Sequence, residues 1–113
     1  MNIQIFGTKK SSDTRKAERW FKERRIQFQS IDMKTKGLSK GEFDSVKRAA
    51  GGLDALLDPD CKDKDLLALL EHLLPEAREE KILEHQEVLK LPIVRNGKQA
   101  TVGYQPDVWK TWE

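Results

Sequence analysis

Cysteine is nearly missing from this chain: Cys61 is the only one in 113 residues. An internal disulfide is therefore excluded, and nothing in the composition calls for an oxidising compartment. Histidine is scarce as well, and the two present, His72 and His85, lie in polar stretches. No His/Cys pair is closely spaced, so no metal ligand is assigned. No apolar run is long enough to span a bilayer, and no membrane partner is expected. The first residues show no charged segment followed by an apolar run, so no signal peptide is expected and the expected location is cytoplasmic. Repeats, linkers and low-complexity segments are also absent.

What is present fits one domain over residues 1–113, long enough to bury one ordinary core without staples. Three Trp and four Phe supply core volume. The formal net charge is only +2, so no direct nucleic-acid binding is expected. The charge is unevenly placed, however. Lys9, Lys10, Arg15, Lys16, Arg19, Lys22, Arg24 and Arg25 crowd the first quarter, while acidic residues dominate from Asp54 to Glu87. Two solvated helical surfaces would give this pattern, and so would a binding face.

The residue pattern sets the order of elements. Asn2 to Phe6 alternates polar and apolar with Ile3 and Ile5 on one side, a short strand. Gly7 to Lys10 interrupts it. Ser11 or Ser12 can cap the next helix, with Asp13 suiting its positive end. Ala17, Trp20, Phe21 and the stem of Arg24 form its apolar stripe, and the helix is predicted to end near Arg25. Ile26, Phe28 and Ser30 alternate with glutamines in a second strand, giving a parallel βαβ unit.

Beyond a loop at Lys34 to Gly37, Ser39 and Glu42 form a capping box, and Phe43, Val46 and Ala50 follow on one face before Gly51-Gly52. Leu53 to Leu57 suits a short turn or helix. Asp58 to Asp63 is a charged loop in which Cys61 is expected to be exposed. Asp63 to Leu74 is predicted as a helix through Leu66, Leu67, Leu69, Leu70 and Leu73, and Pro75 begins another to about Glu84. Leu91 to Arg95 opens a third strand. Asn96-Gly97 predicts a type I′ hairpin, returning through Lys98 to Val102. Gln105 to Trp112 closes the chain as a helix, with Val108, Trp109 and Trp112 expected to face inward.

The order is βαβ, helices, then ββα. It predicts an α/β, thioredoxin-like fold with a mixed four-stranded sheet and a helical insertion over about residues 38–88. Pro92, opening the strand before the hairpin, stands where such a fold places a cis-proline. Cis peptide bonds are essentially confined to X-Pro.

These pieces resemble the ArsC/Spx family, the arsenate-reductase-like branch of the thioredoxin superfamily. The resemblance rests on the opening strand and loop, Thr14-Arg15-Lys16-Ala17 with Trp20, Gly52-Leu53-Asp54-Ala55-Leu56-Leu57, Leu91-Pro92-Ile93-Val94 and Gly103-Tyr104. It covers essentially the whole chain. One branch of the family implies arsenate reduction by a cysteine at the first helix, with arginines, glutathione and glutaredoxin. Another implies oxidation sensing through Cys-x-x-Cys and binding to the C-terminal domain of the RNA polymerase α subunit. Carried over, the reductase cysteine falls on Ser11 and the second redox cysteine on Thr14. The arginine before the cis-proline falls on Leu91, and the mid-chain arginine on about Asp60. Arg15 is retained.

A thiolate forms because its pKa can be lowered at a helix N-terminus, whereas a serine hydroxyl starts far higher and makes no disulfide. Neither histidine is placed by sequence to activate Ser11. No residue is therefore assigned as catalytic. The free N–H groups of the first turn, with Lys10, Ser11, Ser12 and Arg15 and support from Lys9, would suit a small oxyanion. An ordinary N-cap and a surface arginine would give the same residues. Cys61, among Asp58, Asp60, Asp63 and Asp65, is not expected to be a thiolate. The resulting expectation is a family member without a thiol redox centre, acting by binding a protein or an oxyanion, with no cofactor. Its protein partner is unassigned, and the RNA polymerase domain is the candidate that the resemblance implies. The alternative is an arsenate-reductase-like oxidoreductase using glutathione and glutaredoxin.

Overall fold

Apolar side chains at alternate positions of the first strand send two helical layers to opposite faces of one sheet. The computed structural model describes residues 1–113. Strands β1 (Ile3–Gly7), β2 (Phe28–Asp32), β3 (Ile93–Asn96) and β4 (Gln99–Val102) form a single sheet in the order β2-β1-β3-β4. β1 pairs with β2 in parallel and with β3 antiparallel, and β3 pairs with β4 antiparallel. Helices α1 (Ser12–Glu23), α2 (Lys40–Ala50), α3 (Lys64–His72), α4 (Pro75–Glu84) and α5 (Pro106–Trp109) complete the fold, with 3₁₀ turns at Asp54–Leu56, Gln86–Val88 and Lys110–Trp112.

Ile3 and Ile5 of β1 and Val94 of β3 point to one face. There they meet Ala17, Trp20 and Phe21 of α1 and Trp109 of α5. The Trp109 indole N–H donates to Thr101 Oγ1 at 2.8 Å, which ties α5 to β4. The Arg24 guanidinium covers the Trp20 ring at 3.9 Å. Phe6, Ile31 and Ile93 point to the other face, into a core continuous with Phe43 and Val46 of α2, Leu70 of α3 and Ile82 of α4. The Ser39–Glu42 capping box forms in full, and Gly51 ends α2 in the left-handed conformation at φ 88°.

Several local expectations change. Helix α1 ends at Glu23, because Arg25 turns left-handed at φ 58° and lets the Ile26 N–H donate to Phe21 C=O at 3.0 Å, a Schellman-type closure. The hairpin turns at Gly97-Lys98, since Asn96 pairs with Gln99. Gly97 has φ 61° and Lys98 lacks a positive φ, so the loop has the glycine-first pattern of type II′ in place of type I′. Helix α3 stops at His72, and of its predicted stripe only Leu70 is fully buried while Leu69 is exposed. A short helix packed from one side has room for only a narrow apolar face. Val108 is exposed, because α5 is one turn long and turns Trp109 inward in its place. The second strand starts later than the alternation suggests. Ile31 supplies its contact with the larger core, and Ile26 packs beside the aromatic cluster ahead of the strand.

Candidate functional site

The end of β1, the loop after it and the first turn of α1 make one tightly bonded corner. Gly7 is required there by close approach: an added Cβ would lie 2.3 Å from Thr14 Cγ2. Thr14 is thereby buried, and its Oγ1 has no hydrogen-bond partner. The Ser11 N–H donates to Thr8 C=O at 3.2 Å. Ser11 is the N-cap, with extended backbone, and its Oγ accepts from the Thr14 N–H at 3.1 Å. That bond satisfies one of the free donors at the head of the helix. Arg15 folds back along the loop, where its guanidinium donates to Lys9 C=O at 2.5 Å.

The segment leading into β3 lies beside this corner. The Leu91–Pro92 peptide is cis, and Pro92 C=O accepts from the Gly103 N–H at 2.8 Å. Just upstream, Leu89 bridges to Leu57, and the Lys90 N–H donates to Leu56 C=O at 2.8 Å. These bonds hold the Asp58–Asp63 loop against the same corner.

A cleft of about 380 Å³ results, with Ser11, Ser12, Asp60 and Leu91 among its lining residues. Residues from three distant parts of the chain thus meet at one cleft. The cleft is acidic: Asp13, Asp58, Asp60 and Glu87 line it against a single cation, Lys90. Two residues that the sequence groups with Ser11 and Ser12 lie elsewhere. Lys10 lines an adjoining cleft of about 720 Å³ with Lys34, Lys62 and Cys61, and this cleft shares Asp58, Asp60 and Glu87 with the first. Arg15 and Lys9 line a third, of about 280 Å³, together with Thr14, Glu18, Ser30 and Asp32.

Cys61 corrects a further expectation. It is buried, at 9% exposure, although it sits in a charged loop. Its N–H donates to Asp58 C=O at 3.1 Å, closing a turn that sends the side chain inward toward Leu56, Val88 and Leu89. The Sγ lies 3.7 Å from Glu87 C=O. His85 caps the end of α4 and lies 3.6 Å from Glu87. His72 ends α3. No group of three or more His, Cys, Asp or Glu is arranged to hold a metal. Sequence reasoning missed Glu87 and Lys90 as neighbours of Ser11. They are brought there by the Leu57–Leu89 bridge, and no local pattern announces a bridge between residues so far apart.

The parallel β1-α1-β2 unit, the β3–β4 hairpin and a cis-proline leading into β3 define a protein with a thioredoxin-like fold. Within that class the chain belongs to the ArsC family, whose model matches residues 6–112. The Global transcriptional regulator Spx 2 of Oceanobacillus iheyensis is 33% identical over 109 residues, covering 95% of this chain and 80% of that protein. Among solved structures, an ArsC family related protein from Bacteroides fragilis superposes with a TM-score of 0.86 at 17% identity, covering 100% of this chain and 98% of that one. An arsenate reductase from Vibrio cholerae superposes with a TM-score of 0.82 at 22% identity, covering 96% of this chain and 94% of that one. At those identities the two structures speak to the fold.

Proposed function

We propose that this chain is an ArsC-family protein that acts by binding a protein partner and not by thiol redox chemistry. The observation that carries this is the state of Ser11. It stands at the position of the family's reactive thiol, its hydroxyl accepts from the Thr14 N–H, and it opens onto a carboxylate-lined cleft. A hydroxyl forms no disulfide and no sulfur–arsenic bond. Carboxylates around the cleft oppose both an anionic nucleophile and an anionic substrate. For the same reason the oxyanion version of the binding reading is the weaker one, since Arg15 faces another cleft and Lys10 meets the same carboxylates, Asp58, Asp60 and Glu87.

The partner this reading favours is the C-terminal domain of the RNA polymerase α subunit. It is implied by the Spx-like branch, and a named transcriptional regulator lies within 33% identity. Pull-down of that domain by the purified protein is the test. Retention that survives Cys61→Ser is expected, and no interaction at high micromolar concentration would remove this partner.

The reductase alternative draws on the Vibrio cholerae likeness and on Cys61 lining the cleft next to Ser11's. It predicts arsenate reduction with glutathione and glutaredoxin that disappears in Cys61→Ser.

A further inference from the structure

Helix α1 buries Thr14, Ala17, Trp20 and Phe21. At about 100° per residue, the direction opposite that stripe is occupied by Arg15, Arg19 and Lys22, spaced i, i+4 and i+7. All three are exposed, as is Lys16 beside them. None of the four forms an ion pair, whereas on α4 both Arg78 and Lys81 are paired, with Asp54 and Glu84. Arg15 keeps its loop bond to Lys9 C=O and still reaches the surface. Exposed Lys9 and Lys10 extend the row beyond the helix start, and exposed Arg25 extends it beyond the end. Of the three carboxylates in the segment, Asp13 lines the cleft at Ser11, Glu18 accepts from the Ser30 hydroxyl at 2.7 Å and keeps its charge, and Glu23 is exposed.

Between Lys9 and Arg25 there are eight cations and three carboxylates, so this segment is strongly positive inside a chain of net charge +2. The small total hides the patch because the Asp54–Glu87 region offsets it elsewhere on the molecule. A basic surface attracts its partner locally, over roughly a Debye length, about 8–10 Å at ordinary salt. The local distribution therefore outranks the sum.

We propose that the outward face of α1 binds the phosphate backbone of duplex nucleic acid, without reading its sequence. The face is nearly straight and about 10 Å long from Arg15 to Lys22. It carries no exposed large apolar residue: those of this chain are Met1, Leu69, Leu74, Tyr104 and Val108. A protein-binding surface concentrates apolar and aromatic groups at its centre and depletes charge there. A nucleic-acid surface is polar and positively charged. Duplex binding by this face and the protein partner proposed above are independent, and either can fail without the other.

The test is fluorescence anisotropy of a short labelled DNA duplex titrated with the full chain. Micromolar binding is expected at about 50 mM salt, with log K falling against log salt at a slope near −3, for three to four phosphates neutralised. Arg15→Glu/Arg19→Glu/Lys22→Glu should weaken binding at least ~10-fold. Arg19→Ala/Lys22→Ala, which preserves helix propensity, should fall in between. Lys36→Glu/Lys40→Glu/Lys98→Glu, an equal change in net charge elsewhere, should leave binding within about twofold, the local effect being confined to a Debye length. Three results would each overturn the proposal: no duplex binding, equal loss in both triple variants, or displacement of the duplex by poly-glutamate as readily as by unlabelled duplex. The last would assign the face to an acidic protein.

Discussion

Ser11 is the N-cap of α1, a place a hydroxyl fills better than a thiol, whose sulfur is a weak acceptor. As a cap, its Oγ satisfies the Thr14 N–H. Ser11→Ala should therefore cost about 1 kcal/mol in denaturant unfolding, while Ser11→Gly should cost only a few tenths. Gly7 and Thr14 are coupled through direct contact. Gly7→Ala should destabilise by about 1–3 kcal/mol through overpacking, and Thr14→Ala should recover part of that in a double-mutant cycle. Cys61 behaves as a small buried hydrophobe. It should react with a thiol reagent slowly in the native protein and rapidly once unfolded; equal rates would contradict its burial. The sequence narrowed the cap to Ser11 or Ser12, and the structure places it at Ser11. It could not signal that Cys61 turns inward, because that depends on the Asp58–Cys61 turn closing over Leu56 and Val88, contacts between segments far apart in the chain.

At the scale of elements, the strand and helix order was legible because period-2 and period-3.6 apolar spacing separate cleanly in β1, α1 and α2. The Ser39–Glu42 box was legible for a local reason, since both partners lie within one turn. Ends of elements were less so. Arg25 adopts a left-handed conformation that side-chain identity alone does not favour. Arg25→Gly should accordingly stabilise the protein by about 0.5–1 kcal/mol in thermal or denaturant unfolding, as relief of that backbone cost. The hairpin centre moved one residue because Asn96 pairs with Gln99 across the strands. Trp109 shows how a short helix is fixed by one side chain, fully buried and bonded to Thr101. Trp109→Phe should cost about 2–3 kcal/mol, from lost packing volume and an unpartnered Thr101 hydroxyl.

Across the whole molecule, the core on the α2 side of the sheet runs without a break into the helices between β2 and β3. Those helices deliver Asp58, Asp60 and Glu87 to the cleft in which Ser11 and Leu91 stand. Carboxylates from a distant segment therefore meet the head of α1, together with the Ser11 hydroxyl. Asp60 was readable in the sequence as a carboxylate where the resemblance implies an arginine; Glu87 was not, because the Leu57–Leu89 bridge that brings it there joins segments far apart in the chain. It follows that Ser11→Cys alone should not create arsenate reduction, since Leu91 and Asp60 still stand where the resemblance places arginines. The most direct measurement is arsenate turnover with glutathione and glutaredoxin, comparing wild type, Cys61→Ser and Ser11→Cys. A binding protein without a thiol redox centre predicts all three at the level of the protein-free control. Turnover by wild type that vanishes in Cys61→Ser would contradict it.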